Sequence, residues 1–243
     1  MLLLVDLDGV VYRGPVPVPG MPELLTERVA QGDVVVYVTN NSRWHRTEYQ
    51  ARLRSMGAPV APDSVVSAAR ATALALAEHP RRPRTVLVLG GPGLMREIRD
   101  AGLRAVAATP RGLAADPDAV VVGVDFSLTY RRLSIAAEAV RRDTLFVATN
   151  RDPVYPTAET LAAGAGSIVA AVAVAGRREP DIVIGDGLGT DIAAAVRVGA
   201  RSVLMLTGVS TRAHVDALPE DARPTWIAED PPDLARLLAR LDH

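Results

Sequence analysis

Two residue types are missing from this 243-residue chain: it contains no cysteine and no lysine, so all 27 of its Lys-plus-Arg positions are arginine. Without cysteine there are no disulfides, no thiol catalysis and no thiolate metal sites, and a reducing, cytoplasmic setting is compatible with the sequence. Without lysine, any chemistry that needs a side-chain ammonium must be done otherwise. A basic surplus is also lacking, since the formal net charge is −1 and the pI about 6.4. Nothing in that balance marks a nucleic-acid partner. Long hydrophobic runs are absent too. The N-terminal apolar run is cut by Asp6, too short for a signal peptide. Residues 160–176 are uncharged and Ala/Gly-rich but short for a membrane span, and a buried helix is the expectation. Aromatic residues make up 4% of the chain. The four histidines, His45, His79, His214 and His243, lack metal-ligand spacing and read as surface or internally satisfied groups.

What is present is a chain 49% hydrophobic, enough to bury a substantial core in one large or two smaller domains. Its organising stretch is Leu2-Leu-Leu-Val-Asp6-Leu-Asp8-Gly9-Val10. The apolar residues predict a buried strand that delivers Asp6 and Asp8 to its end, and Gly9 lets the backbone turn at once. Side chains repeat every two residues along a strand, so two acids separated by Leu7 start on the same side. Two anions there repel unless a cation sits between them. Magnesium, a hard ion that takes oxygen ligands, is the simplest answer. The plain alternative is that these acids end a strand and cap a turn.

Three later runs repeat the arrangement. Val34 to Val38 end in Thr39-Asn40-Asn41-Ser42, Ile182 to Ile184 in Gly185-Asp186, and Val203 to Leu206 in Thr207-Gly208. In open parallel sheets the ligand crevice lies outside the carboxyl ends of the strands, so all four runs are expected to point at one crevice. Thr39 with neighbouring backbone N–H groups suits phosphate oxygens. Thr-Asn-Asn-Ser is equally an ordinary turn or helix-capping signal.

Taken in order, Asp6-Leu-Asp-Gly-Val-Val-Tyr-Arg-Gly, Val-Thr39-Asn-Asn-Ser, Gly185-Asp186-Gly-Leu-Gly-Thr-Asp191-Ile and Leu-Thr207-Gly-Val-Ser-Thr resemble the haloacid dehalogenase superfamily. Within it they are similar to the branch of p-nitrophenylphosphatase-like enzymes with a large α/β cap. The resemblance covers nearly the whole chain. It implies an α/β fold, a doubly wound, mainly parallel core at residues 1–79 and 180–243, interrupted by an α/β cap at 80–179. It further implies that Asp6 attacks phosphorus, that Asp8 protonates the leaving oxygen and then activates water, and that Thr39 and the backbone around Asn40 hold the phosphoryl oxygens. Magnesium would bridge Asp6, the Asp8 carbonyl and Asp186, with Asp191 in the outer shell or acting through water. Asp191 also reads simply as a helix N-terminal carboxylate. The implied substrate is a small phosphorylated metabolite, a sugar, glycerol, glycolate, nucleotide or aryl phosphate, with no nucleic-acid or membrane partner.

Helical periodicity is expected at 21–31, 45–56, 67–78, 94–101, 130–141, 190–198 and 232–241, and strands at 85–89, 119–124, 145–148 and 225–228. Gly90-Gly-Pro-Gly93 fails the dinucleotide spacing at Arg96 and reads as a tight turn. Asp125, Asn150 and Asp152 follow apolar strands of the cap. They either read the leaving group of a substrate or form turns.

The family resemblance breaks at one place. Relatives carry a Gly-Lys-Pro signature and a helix between the cap and the second acidic motif, whereas here Gly176-Arg-Arg-Glu-Pro180 runs directly into Asp181-Ile-Val-Ile-Gly-Asp186. Loss of one preorganised electrostatic partner costs on the order of 10² to 10³ in rate. Arg177 and Arg178 are the candidate substitutes, with a solvated hinge pair as the alternative. The core is expected to lack helical cover on one face, where an exposed apolar patch could be buried by a second subunit, making a homodimer. The rival readings are a catalytically impaired protein that binds metal and phosphorylated ligand, a phosphoacceptor receiver domain, and a metal-free dehalogenase.

Overall fold

The computed structural model describes residues 1–156, 160–183, 201–207 and 211–241. In chain order the first elements are β1 (Leu2–Asp6), β2 (Tyr12–Arg13), β3 (Val16–Pro17), α1 (Met21–Ala30), β4 (Val34–Thr39), α2 (Arg46–Ser55), β5 (Val65–Ser67) and α3 (Ala68–Ala77). There follow β6 (Thr85–Leu89), α4 (Pro92–Asp100), β7 (Arg104–Ala107), α5 (Pro110–Leu113), β8 (Ala119–Val122), α6 (Tyr130–Val140) and β9 (Leu145–Ala148). The described remainder is β10 (Val154–Pro156), β11 (Leu161–Ala163), α7 (Ala165–Gly176), β12 (Ile182–Val183), β13 (Val203–Met205), α8 (Arg212–Asp216), β14 (Trp226–Ala228) and α9 (Pro231–Leu241). No described helix is long and apolar enough to cross a membrane. The chain divides into two compact units, one of Met1–Thr39, Gln50–Val65 and Leu188–His243, the other of Asn40–Tyr49 and Val66–Gly187.

In the first unit β1 and β4 run parallel, with Leu2 opposite Val34 and Asp6 opposite Val38, and the sheet order is β1-β4-β5. Alternation puts Leu7, Val35 and Tyr37 in the core. The Tyr37 hydroxyl donates to the Pro59 carbonyl at 2.7 Å, and burial pushes this phenol well above its ordinary value. The opposite face is open: Leu2, Leu4 and Val34 are 62%, 64% and 58% exposed. Among the described residues β13 and β14 pair, in parallel, only with each other. Arg13 ties the turn after β13 to β2, its Nε donating to the Thr207 carbonyl at 2.6 Å.

The second unit holds a five-stranded parallel sheet in the order β12-β9-β8-β6-β7. Its middle strands are apolar without interruption because both faces are covered, the usual state of parallel sheets. Leu87, Leu89, Val120, Val122 and Phe146 pack with Val140, Val169 and Val172 of α6 and α7 on one side. Val86, Val88, Val121 and Val147 pack with Ala73, Leu76, Leu94 and Ile98 of α3 and α4 on the other. The expected helix within 160–176 is α7, preceded by β11, with Ile168, Val169 and Val172 buried.

Here one expectation is corrected. The run beginning at Ile182 does not continue the first unit's set of strands: Ile182 and Val183 pair with Val147 and Ala148, at the edge of the second unit's sheet. The cause lies just before it. Asp181 donates its N–H to the Phe146 carbonyl and accepts the Phe146 N–H on its carboxylate, both at 2.8 Å. Arg178 grips both Asp181 oxygens at 2.8 and 2.7 Å and donates to the Thr144 carbonyl at 2.8 Å. That clamp fixes the register against β9.

Burial alone would raise the Asp181 carboxyl, but the hydrogen bonds from Arg178 and the Phe146 N–H outweigh it and leave it below the ordinary carboxylate range. Its contribution to stability is therefore full above the unfolded value of about 4 and is lost as pH falls through the folded value. Asp181→Asn is expected to cost about 1 kcal/mol at neutral pH, reduced by partial solvent screening. In urea titrations the gap to wild type should stay constant from pH 7 to 5 and close below about pH 4. At α4, a Cβ on Gly93 would stand 2.5 Å from Arg43 O and His45 N, against backbone that cannot swing aside. Gly93→Ala should lower stability by about 1–3 kcal/mol, read from the denaturation midpoint.

Candidate active site

In the first unit the site begins at the β1 terminus. Leu7 is fully buried, while Asp6 on one side of it is half-buried and Asp8 on the other is exposed. The turn that follows is built on one acceptor: the Leu7 carbonyl takes N–H bonds from Val10, Val11 and Tyr12 at 3.3, 3.0 and 3.2 Å. Gly9 closes it at φ +86°, donating to the Tyr12 carbonyl at 2.7 Å, a conformation that a side chain would strain. The backbone beside Asp8 is thus held rigidly. Thr39 is buried at the end of the neighbouring strand, one residue beyond the Val38 that faces Asp6. Thr207 stands two residues beyond β13, with its carbonyl on Arg13 and its hydroxyl oxygen buried without a hydrogen-bond partner among the described residues.

All these donors are oxygens, the chemistry of a hard divalent cation. Asp6 and Asp8 supply one part of such a set. Among the described residues no group of three or more His, Cys, Asp or Glu side chains gathers to hold a metal. Asp186 and Asp191 lie outside the described residues.

The loop after Thr39 belongs to the second unit. Ser42 is fully buried, and its hydroxyl oxygen accepts from Thr149 Oγ1 at 3.0 Å and from the Val124 N–H at 3.4 Å. Asn40 donates its side-chain amide to Asp152, and its carbonyl accepts from Asn150 Nδ2 at 2.8 Å. Asn150 Oδ1 in turn accepts the Asp152 N–H at 3.1 Å. The two cap-loop residues Asn150 and Asp152 are therefore brought together with Asn40 as a clamp. Asp125 is buried and engaged: Ser127 donates to its Oδ1 through N–H and hydroxyl, and Arg132 pairs with Oδ2 at 2.7 Å.

Farther along the same loop stands a buried ionic cluster. Glu97, with no exposed surface, accepts the Arg46 N–H at 2.7 Å and pairs with the Arg46 guanidinium at 2.5 Å. His45 is the satisfied histidine the sequence suggests, its Nε2 3.0 Å from Asp100 and its Nδ1 2.8 Å from Thr47 Oγ1. Burial acts to raise the Asp100 carboxyl, but His45 and Arg46 outweigh it and hold it below the ordinary range.

Of the two arginines considered in place of the absent lysine, Arg178 has its guanidinium committed to Asp181 and Thr144. Arg177 is exposed, in a left-handed conformation at the end of α7. An aromatic group that no sequence motif marks surrounds Arg43. Its guanidinium carbon lies 4.5 Å from the Trp44 ring centre and 4.4 Å from that of Phe126. Phe126 meets Tyr155 edge to face at 5.2 Å. The signal available in the sequence was Phe126 itself, one of two phenylalanines, placed directly after Asp125.

Residues 3–104 match the family of haloacid dehalogenase-like hydrolases, and residues 159–234 match a second family description of the same kind. Chronophin of Rattus norvegicus is 35% identical over 280 residues, 98% of this chain and 88% of its own. D-glycerol 3-phosphate phosphatase of Mycobacterium tuberculosis is 34% identical over 250 residues, 94% of this chain and 69% of its own. Among solved structures, p-nitrophenyl phosphatase from Archaeoglobus fulgidus superimposes with a TM-score of 0.85 at 28% identity, covering 97% of this chain and 98% of that one. A glycerol phosphate phosphatase from Mycobacterium tuberculosis, solved in complex with magnesium, gives 0.84 at 33% identity, over 98% and 77%. With the Asp6-Leu7-Asp8-Gly9 turn, the parallel core and the α/β cap in place, the chain belongs to the haloacid dehalogenase-like hydrolases, in their p-nitrophenylphosphatase-like branch.

Proposed function

We propose that the chain is a magnesium-dependent phosphatase that hydrolyses a small phosphomonoester through an aspartyl-phosphate intermediate. The observation that carries this reading is the β1 turn, where two acids flank a buried leucine at the carboxyl end of a parallel strand and Thr39 ends the strand beside it. The Asp6 carboxylate attacks phosphorus as the bond to the leaving oxygen breaks, and Asp8 gives that oxygen its proton. Asp8 then takes a proton from the water that cleaves the acyl phosphate and restores Asp6. Thr39 and the backbone at Asn40 hold the phosphoryl oxygens, and the side chain of Asn40 anchors the loop through Asp152. Asp6, the Asp8 carbonyl and Asp186 would hold magnesium, with Asp191 acting in the outer shell or through water, and the ion would supply counter-charge to the phosphoryl group. Residues 80–179 serve as the cap, excluding water from the reaction. The relatives' own activities, on glycerol phosphate and on p-nitrophenyl phosphate, support a small phosphomonoester as substrate.

A second reading, a protein that binds metal and phosphorylated ligand without turnover, is favoured by the position of Ile182 and Val183 in the other unit's sheet and by the missing lysine. Turnover of p-nitrophenyl phosphate separates the two. The phosphatase should lose at least about 10³ in kcat on Asp6→Asn and lose activity on chelation, with recovery on added magnesium. Magnesium binding by calorimetry, with turnover no faster than that of Asp6→Asn, would instead establish the binding protein.

A further inference from the structure

We infer that Arg52 is a positioning residue for Asp8, acting through Tyr12; this rests on the phosphatase reading and adds to it a side chain that the reaction depends on without touching substrate. Asp8, Tyr12, Gly14 and Arg52 all belong to the first unit.

Asp8 is exposed, so its place is set by the backbone on either side of it. Tyr12 supplies both ends of that frame. Its N–H donates to the Leu7 carbonyl at 3.2 Å and its carbonyl accepts the Gly9 N–H at 2.7 Å, one bond on each flank of Asp8. A shift of Tyr12 is therefore carried to the carboxylate that gives and takes the proton in the proposed reaction.

Tyr12 is in turn held through its side chain. The ring is buried, and the Arg52 guanidinium carbon lies 4.0 Å from its centre. The same guanidinium donates to the Gly14 carbonyl, in the turn between β2 and β3, where Tyr12 pairs with Pro17. A cation on the ring face and a donor on a carbonyl two residues further along fix both the ring and the hairpin that carries it. Arg52 comes from a seated helix, since Leu53 beside it on α2 has no exposed surface. Of the four arginine–ring contacts among the described residues this is the shortest, and its ring alone belongs to a residue that closes the Asp6-Leu7-Asp8-Gly9 turn. Arg13 tethers the same hairpin to the Thr207 carbonyl, so the hairpin keeps one anchor when Arg52 is replaced.

The test compares the full chain with Arg52→Met, which keeps length and loses charge and donors, and with Arg52→Lys, which keeps a cation for the ring and a donor for the carbonyl. The quantity measured is kcat/KM in magnesium for p-nitrophenyl phosphate and phenyl phosphate, two esters of similar shape. Phenol is the poorer leaving group and takes its proton from Asp8, whereas p-nitrophenolate leaves without one. Arg52→Met should fall about tenfold further on phenyl phosphate than on p-nitrophenyl phosphate, a fraction of a full general-acid contribution, and Arg52→Lys should bring that difference to within about threefold. In hydrogen exchange on Arg52→Met, the Gly9 and Tyr12 amides should exchange about tenfold faster while those of β4 keep the unmodified rate. Equal losses on both esters would mark a merely structural role and overturn the inference, as would unchanged exchange in the turn. If the unmodified chain turns over neither ester, the phosphatase reading falls and this role of Arg52 with it; turnover with an unchanged ratio between the esters sinks the inference alone.

Discussion

The seat of one hydroxyl, that of Ser42, is the constraint on which the loop after β4 rests. The chain leaves β4 at Thr39 and within three residues is fully buried, with the Ser42 oxygen bonded to Thr149 and to the Val124 N–H. The fit leaves no slack: a Cβ on Gly123 would stand 2.8 Å from that oxygen. Asn40, Asn41, Arg43 and His45 then have their positions set by partners from α4, β10 and the loops that follow β8 and β9. A buried hydroxyl left without partners costs about 1–3 kcal/mol, so the loop has one favourable seat.

The strands of the second unit were legible because both faces of their sheet are covered, which leaves near-continuous apolar runs at 85–89, 119–122 and 145–148. The Asp6-Leu-Asp-Gly turn was legible because Gly9 does need its left-handed conformation. The assignment of Ile182 to a sheet was not, since an apolar run reads the same in either one. Its place is settled by Asp181 on Phe146, a contact across 35 residues. Local pattern also fails for β7, a four-residue edge strand with an exposed arginine at its start. Asp125, Asn150 and Asp152 were equally readers or turn-formers by sequence, and their carboxylates and amides are occupied within the protein. The circuit from Arg43 through Phe126 to Tyr155 joins residues more than eighty positions apart in the chain, which no local pattern reports.

The missing lysine is a property of the whole molecule as much as of its site. Arg46 reaches Glu97 and Asp100 at once, and Arg178 reaches a carboxylate and a carbonyl. A single ammonium lacks the planar fork for either task. The chronophin alignment also runs to 280 residues against a chain of 243, so the relative carries stretches with nothing opposite them here. That agrees with Asp181–Val183 closing the second unit's sheet directly.

The open face of β1 and β4 has a consequence for how the molecule behaves in solution. Leu2, Leu4 and Val34 form a strip of hydrocarbon turned to water on a chain whose formal charge is −1. So small a charge gives two approaching copies almost no mutual repulsion, and the attraction between such strips is strengthened, not screened, by sulfate and phosphate salts. Salting-out conditions therefore act on this surface, whose Leu4 and Leu2 lie two and four residues before Asp6 on the same strand.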